Sequence, residues 1–163
     1  MLSLRKFHTS DKPKLIEYLN SPELTHYLSS KIPLPYTEQD AQWWVEKGSQ
    51  MGITRAIDIN GELAGCIGAI PGDYEYCKSA EIGYWLAQNY WGNGLVLSAL
   101  NLLIDEVAET TDIVRIHATV FDGNLRSGRV LEKAGFSKEG ELNKAIFKNG
   151  QFFNAHIYGK VIS

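Results

Sequence analysis

Residues 81–94 read Glu-Ile-Gly-Tyr-Trp-Leu-Ala-Gln-Asn-Tyr-Trp-Gly-Asn-Gly, and this stretch decides the fold of the 163-residue chain. It begins inside an apolar and aromatic run, residues 79–86, which predicts a β-strand. Apolar residues from Leu95 onward recur on almost every helical face and predict a long buried helix. Gly92 and Gly94 lie between the two runs, so the segment predicts a strand, a glycine loop and a helix N-terminus.

The glycine loop has two readings. A loop of this kind turns its backbone N–H groups toward the positive end of a helix dipole, which suits a phosphate group. Gly-x-Gly by itself more often marks a plain strand-to-helix turn. The loop is not a Walker motif, because no Gly-Lys-Ser/Thr follows, and position 97 is Leu rather than the last glycine of G-x-G-x-x-G.

Outward from this segment, two Asn-Gly pairs between runs of alternating polarity predict β-hairpins. The first joins residues 53–59 to 63–70 through Asn60-Gly61, and the second turns at Asn149-Gly150 and ends near Ile162. Further strands are predicted near the N-terminus and over residues 113–120. The mixed order of strands and helices favours an α/β or α+β sheet covered by helices, in one domain over residues 1–163.

Helix signals occur at four other places in the sequence. Each combines a capping or glycine residue with apolar residues at helical spacing. The predicted helices follow Asp11 as N-cap with Pro13 in the first turn, hold Leu24, Tyr27 and Leu28, begin after Thr37 as N-cap, and run from Asn124 to Ala134 before Gly135.

The composition is that of a globular protein, with 44% hydrophobic and 21% charged residues. Sixteen Lys and Arg against nineteen Asp and Glu give a net charge of −3, which argues against a nucleic-acid partner. No run of about 18 apolar residues could span a bilayer, and the N-terminus lacks the apolar stretch of a signal peptide. We therefore expect a cytoplasmic protein without nucleic-acid or membrane partners.

The cysteines and histidines form no pattern that suits a metal or a nucleophile. Cys66 lies in an apolar strand, Cys77 lies in a polar connection, and neither has an activating neighbour in the sequence. Four histidines are scattered singly, so no metal site is expected. They are His8, His26, His117 and His156.

Other segments of the sequence help to decide between the two readings of the glycine loop. Asn89-Tyr-Trp-Gly92-Asn-Gly94 resembles the pyrophosphate loop of the GNAT N-acetyltransferases, Q/R-x-x-G-x-G/A, with the shorter and uncharged Asn89 at its head. Residues 80–86, Asn124-Leu-Arg-Ser127 and Lys133-Ala-Gly-Phe136 are similar to the ribosomal-protein N-terminal acetyltransferases of the RimJ/RimL type. The likeness runs from about Leu2 to Ile162, and its specific motifs lie between Ala80 and Phe136.

The resemblance implies an α+β GNAT fold, a mixed and mostly antiparallel sheet with splayed parallel strands and helices on both faces. It also implies acetyl-CoA as cosubstrate, with strand backbone holding the pantetheine and loop amides holding the pyrophosphate. The residues expected to bind acetyl-CoA are Leu86, Asn89, Tyr90, Trp91, Gly92, Asn93, Gly94, Leu95, Asn124 and Ser127.

Two catalytic residues follow from the same resemblance. Glu81 matches the Rim-type glutamate and is expected to act as a base or water relay, its basicity raised by apolar neighbours; otherwise it is a solvated strand-end carboxylate. Many GNAT enzymes place a tyrosine acid where this chain has Leu131, so Ser127 is the expected acid to the CoA thiolate, or else an ordinary first-turn serine. The amine would attack the thioester directly, without an acetyl-enzyme.

The acceptor is expected to be a primary amine, either a protein N-terminus or a small amine. Tyr36 and Trp44 are candidate acceptor contacts, although aromatic residues at helical spacing are more often core. The resemblance leaves a homodimer open. A noncatalytic acyl-CoA-binding regulatory module is the alternative, because the tyrosine is missing at Leu131. A dinucleotide oxidoreductase would need a ribose-binding acid, for which Asp112 is a weak match.

Overall fold

Seven strands and five α-helices make up the fold of the computed structural model, which describes residues 1–163. The strands are β1 (Leu2–Arg5), β2 (Ile53–Ile59), β3 (Glu62–Pro71), β4 (Ser79–Leu86), β5 (Arg115–Phe121), β6 (Ser137–Lys148) and β7 (Gln151–Val161). The helices are α1 (Lys12–Leu19), α2 (Pro22–Thr25), α3 (Glu38–Glu46), α4 (Leu95–Thr110) and α5 (Leu125–Lys133).

All seven strands pair in one sheet, in the order β1-β2-β3-β4-β5-β7-β6. Every pair is antiparallel except β4 with β5. That parallel pairing covers only Ser79 to Glu81 on β4, after which the strands separate. The mixed, mostly antiparallel sheet with splayed parallel strands is therefore confirmed.

Both predicted Asn-Gly hairpins are present. Asn60 and Gly61 have φ values of 54° and 90°, and Asn149 and Gly150 have values of 52° and 76°. Two successive residues with positive φ form the turn whose twist matches that of the flanking strands, and asparagine and glycine adopt this conformation at the lowest cost.

Helices cover both faces of the sheet and enclose two cores. The α4 core lies on the face that carries α4 and α5, and its buried side chains include Ile67, Ile82, Leu100, Leu103, Ile116 and Leu131. The α1–α3 core lies on the opposite face, and its buried side chains include Phe7, Leu15, Leu19, Tyr36, Ala41 and Cys66. Side chains of one strand alternate between the two cores, because successive residues of a strand point to opposite faces.

The predicted buried helix α4 is buried on one side only, although its apolar residues lie on almost every face. Leu102 is 43% exposed, and Asn101 and Asp105 on the same side also face solvent. The helix packs on one face of the sheet, so only one side of it can be covered. The chain tolerates an exposed leucine there, as soluble proteins commonly do.

The predicted caps of α3 and α1 have different outcomes. The Thr37 side chain accepts a hydrogen bond from the Asp40 backbone N–H, as expected of an N-cap. Asp11 precedes α1 as predicted, but its side chain makes no capping hydrogen bond. Its carboxylate instead accepts two hydrogen bonds from the Arg5 guanidinium, at 2.8 and 2.9 Å, and one from the His8 backbone N–H, at 2.7 Å.

Asp11→Asn is expected to lower the free energy of unfolding by about 3 kcal/mol near neutral pH, because it breaks a buried ion pair with Arg5. Burial raises the pKa of the Asp11 carboxyl, but the hydrogen bonds from Arg5 and His8 outweigh burial and lower the pKa below its usual 3.8. This stabilisation is therefore present above pH 3.8 and is lost as pH falls through the lower folded-state pKa.

Thermal unfolding of both proteins across pH tests the prediction. The difference in the free energy of unfolding between the wild type and Asp11→Asn narrows as the pH falls through that lowered pKa, since the side chain at position 11 is then neutral in both proteins. Glu17→Gln is the control, because its ion pair with Lys14 is exposed and adds little. A gap that stays constant with pH would contradict the ion-pair explanation.

Candidate active site

A cleft of about 1280 Å³ opens where β4 and β5 separate. Its walls come from the ends of these two strands, from α2 and the loop after it, from the first turns of α5 and from the end of β6. Most of the lining side chains are apolar or aromatic. Because the sheet itself is open here, side chains from both of its faces line the cleft.

The alternation along β4 assigns its side chains to the two faces. Ile82 and Leu86 are buried in the α4 core and Tyr84 packs against it, whereas Trp85 packs against the α1–α3 core. Glu81 shares the parity of Trp85 and therefore lies on the α1–α3 face. The cleft thus has a carboxylate on one face and a phenol on the other.

The glycine loop follows β4 and leads into the 16-residue helix α4. Gly92 and Gly94 have φ values of 84° and 71°, which require glycine or impose strain, and added Cβ atoms would meet nothing within 4 Å. The backbone N–H groups of Gly92, Asn93 and Gly94 donate no hydrogen bond within the chain. The loop therefore presents free donors at a helix N-terminus, the arrangement that binds phosphate.

Trp91 holds this loop against the end of β4. Its indole N–H donates to the Leu86 carbonyl oxygen at 2.7 Å. The Arg126 guanidinium, in the first turn of α5, lies 4.3 Å from the centre of the Trp91 ring. Arg126 was not among the sequence-predicted site residues, because no local motif indicates that α5 packs against the loop.

The remaining predicted loop residues occupy its outer side. Asn89 and Asn93 are exposed, and Tyr90 is half-buried against both cores. Leu95, the first residue of α4, packs against the α4 core. Only Trp91 of the loop reaches the cleft wall, together with Val96 on the first turn of α4.

Asn124 and Ser127 lie at the start of α5 and both line the cleft. Asn124 is the N-cap, and its side chain accepts a hydrogen bond from the Ser127 backbone N–H at 3.4 Å. Ser127 Oγ lies 2.5 Å from Tyr84 Oη, so the two hydroxyls form one hydrogen-bonded pair. Sequence reasoning missed Tyr84, although the parity of β4 places it on the α5 side.

The Tyr84 phenol stays protonated in this position. Burial raises the pKa of Tyr84 above 10.0, and the hydrogen bond with Ser127 offsets part of the rise. One turn after Ser127, Leu131 is fully buried in the α4 core. The chain thus lacks a tyrosine on α5 but brings a phenol to the same helix face from β4.

Glu81 lies at the last parallel pair of β4 and β5, opposite His117, and lines the cleft. Its side chain is exposed. The expectation that apolar neighbours remove Glu81 from water is therefore wrong, because Ile82 and Tyr84 point to the other face of the strand.

Tyr36 and Trp44 lie outside the cleft, in the α1–α3 core. Tyr36 is 6% exposed, its hydroxyl donates to the Asp40 carbonyl oxygen at 3.4 Å, and burial raises its pKa to about 12. Trp44 packs edge-on against Phe7 with ring centroids 5.6 Å apart. The structure therefore gives both aromatic residues a packing role and does not bring them to the site.

Neither cysteine lies in the cleft. Cys66 is buried in the α1–α3 core, and burial raises the pKa of its thiol to about 12, whereas Cys77 is exposed. No group of three His, Cys, Asp or Glu side chains is arranged to hold a metal ion. None of the helices is both long and apolar enough to cross a membrane.

Comparison with known proteins identifies the family. A family profile described as an acetyltransferase (GNAT) domain matches residues 1–137. The N-acetyltransferase p20 of Bacillus licheniformis, itself named as uncharacterized, is 30% identical over 165 residues, which cover 96% of this chain and 90% of that protein. The ribosomal-protein-serine acetyltransferase of Escherichia coli K12 is 34% identical over 85 residues, which cover 52% of this chain and 48% of that protein.

A solved structure agrees with the sequence relatives. The microcin C7 self-immunity acetyltransferase MccE, crystallised with acetyl-CoA and AMP, has a TM-score of 0.85 and 26% identity, and the match covers 99% of this chain and 92% of that chain. The resemblance to GNAT enzymes of the ribosomal-protein type is thus confirmed, and the named relatives favour an enzyme over a noncatalytic module. The chain therefore belongs to the GNAT acetyltransferase family and is an acetyl-CoA-dependent N-acetyltransferase.

Proposed function

We propose that this enzyme acetylates the primary amine of a small molecule or of a protein N-terminus, with Glu81 as base and Ser127 as acid. One observation carries the proposal. The two central strands separate directly after Glu81, and the alternation of β4 places Glu81 on one face of the opening and the Tyr84–Ser127 pair on the other. An acyl group held in the opening would meet a base on one side and an acid on the other.

The chain's own groups fit acetyl-CoA, which supplies the acetyl thioester. The free N–H groups of Gly92 to Gly94 suit the pyrophosphate, and the adjacent Arg126 adds a positive charge beside them. The β4 edge beyond Glu81 is unpaired and suits the pantetheine amides. Asn124 keeps its amide N–H groups free for the same arm, while its oxygen caps α5.

On the α1–α3 face, Glu81 receives the proton of the acceptor ammonium, directly or through a water molecule. The neutral nitrogen has the lone pair that an ammonium lacks, and it forms the new C–N bond at the thioester carbon. The nitrogen then carries a positive charge and gives up a second proton as the C–S bond breaks. The exposed carboxylate of Glu81 takes the two protons in turn and passes each to solvent.

On the α4 face, Ser127 donates a proton to the sulfur as the C–S bond breaks. Tyr84 is a positioning residue in this step, since its hydroxyl is hydrogen-bonded to Ser127 Oγ at 2.5 Å. A phenol with a raised pKa remains protonated and can reprotonate the serine oxygen, after which the pair takes one proton back from solvent. The products are the amide and the CoA thiol.

The relatives support both kinds of acceptor. The Escherichia coli relative is named as a ribosomal-protein-serine acetyltransferase, which supports a protein acceptor. The microcin C7 self-immunity enzyme was crystallised with acetyl-CoA and AMP, which supports a site that also accepts a small molecule. The chemistry at Glu81 is the same for either amine.

Acetyl-CoA at 100 times its dissociation constant is expected to stabilise the protein by about 2.7 kcal/mol and to raise Tm by several degrees. Thermal unfolding with acetyl-CoA, with NAD as the control ligand, measures this shift. Gly94→Val is expected to abolish the shift, because valine does not adopt a φ of 71° without moving the loop. Absence of a shift at any acetyl-CoA concentration would contradict the coenzyme site.

A further inference from the structure

We propose that the acceptor is a primary amine with a single positive charge and an aromatic body, and that diamines and polyamines are disfavoured. The inference rests on the proposed function, because it concerns the acceptor side of the same cleft. It follows from the walls on the α1–α3 face and from the charges placed there.

An aromatic wall lines the cleft on the same face of the sheet as Glu81. Phe121, at the end of β5, packs edge-on against Tyr27 with ring centroids 6.2 Å apart, and both residues line the cleft. The His26 ring packs on the other side of Tyr27 at 4.5 Å. Leu28 and Ile146 extend the apolar surface. Such a wall stabilises a flat apolar group more than a flexible polar chain.

Two carboxylates line the cleft, Glu81 and Glu23, together with two cations, Arg126 beside the glycine loop and Lys148 at the end of β6. Glu23 accepts a hydrogen bond from the Ser21 hydroxyl at 3.1 Å, on the first turn of α2. A polyamine site needs an excess of carboxylates, since each ammonium loses hydration on binding. Arg126 lies on the coenzyme side and Glu81 serves the reacting amine. Glu23 is therefore the one carboxylate left for a second ammonium, and the positive charge of Lys148 offsets it.

Lys148 adds a specific repulsive element. Its Nζ donates to the carbonyl oxygens of Thr25, His26 and Leu28 at 2.7, 3.0 and 2.5 Å, and it forms no ion pair with a carboxylate. Burial lowers the Lys148 pKa, yet three acceptors around one nitrogen require the three N–H bonds of an ammonium. The same nitrogen lies 5.8 Å from the Phe121 ring centroid.

The fixed ammonium therefore stands beside the aromatic wall, where the far end of the acceptor would lie. A second ammonium on the acceptor meets like charge there, whereas an aromatic ring meets Phe121 and Tyr27. Lys148 lies on the last hairpin, beyond residues 1–137 that match the family profile.

Initial rates with saturating acetyl-CoA test the inference, with 2-phenylethylamine and 1,4-diaminobutane as probes. We expect kcat/KM to be at least about ten-fold higher for 2-phenylethylamine. Phe121→Leu is expected to lower the ratio of kcat/KM for 2-phenylethylamine to that for 1,4-diaminobutane by about three- to ten-fold. Lys148→Met is expected to raise kcat/KM for the diamine by at least about five-fold relative to the aromatic amine.

Phe152→Leu is the matched control, because Phe152 lies in the same hairpin but is exposed and outside the cleft wall. It should leave the ratio unchanged. If Lys148→Met loosens the hairpin, the inference is still tested by the ratio of kcat/KM for the aromatic amine to that for the diamine, measured in the wild type and in Phe121→Leu. Equal or higher kcat/KM for the diamine would overturn the inference while leaving the acetyltransferase function intact.

Failure to acetylate 2-phenylethylamine would also overturn the inference, provided that acetyl-CoA still raises Tm. A protein that shows no Tm shift with acetyl-CoA would instead contradict the proposed function itself. The two failures are therefore separated by the binding measurement.

Discussion

Glu81→Gln is expected to lower kcat/KM for the acceptor amine by about 100-fold or more, with acetyl-CoA binding unchanged. Glutamine keeps the size and polarity of the side chain but does not accept a proton near neutral pH. Glu81 lies on the acceptor face where β4 and β5 separate, and no other carboxylate of the β4 and β5 wall lines the cleft. The ammonium of the acceptor would then have to lose its proton to bulk water before binding.

The pH profile distinguishes lost proton transfer from lost structure. The defect of Glu81→Gln should shrink as the pH approaches the pKa of the acceptor amine, because the neutral amine then arrives from solution. Glu75→Gln is the control, an exposed carboxylate in the connection before β4 and outside the cleft wall. Wild-type turnover in Glu81→Gln, with an intact Tm shift by acetyl-CoA, would remove Glu81 from the mechanism.

Ser127→Ala and Tyr84→Phe are each expected to lower kcat by about 10- to 100-fold without a change in the KM for acetyl-CoA. The two hydroxyls lie 2.5 Å apart and would serve one proton in the proposed mechanism, so the double variant should be little worse than Ser127→Ala alone. Such non-additivity is the signature of a shared path. Independent structural defects would instead add in free energy.

Tyr158→Phe provides the control for loss of a buried phenol against α5. Its hydroxyl oxygen lies 2.9 Å from where a Cβ on Gly128 would be, yet it does not line the cleft. This variant should retain wild-type kcat. Full activity in both Ser127→Ala and Tyr84→Phe would mean that the thiolate leaves without an acid from this pair.

The order of elements could be predicted because each signal is local. Alternation along residues 79–86, the two glycines and the helical spacing after Leu95 lie within one short segment, and each turn residue has its own conformational reason. The Asn-Gly hairpins are predictable for the same reason. The separation of β4 and β5 came from the family resemblance, since no residue pattern indicates where two paired strands part.

The contacts across the cleft were beyond sequence reasoning. Tyr84 and Ser127 are 43 residues apart, and their contact depends on how α5 packs against the sheet. Apolar neighbours along β4 suggested a desolvated Glu81, but adjacent strand residues face opposite sides and leave it exposed. Tyr36 and Trp44 were candidate acceptor contacts but lie in the α1–α3 core. Sequence alone did not distinguish the two places, because aromatic residues suit a core and a cleft equally well.

The spacing of Glu81 and Tyr84 on β4 has a consequence for proton traffic. Three residues of extended strand separate their Cα atoms by about 10 Å, and the sheet lies between the two side chains. In the proposed mechanism the proton taken from the amine therefore does not pass directly to the sulfur. Each turnover would release protons to solvent on the α1–α3 face and take one up through the Tyr84–Ser127 pair on the α4 face, so the transfer is expected to need water on both sides of the sheet.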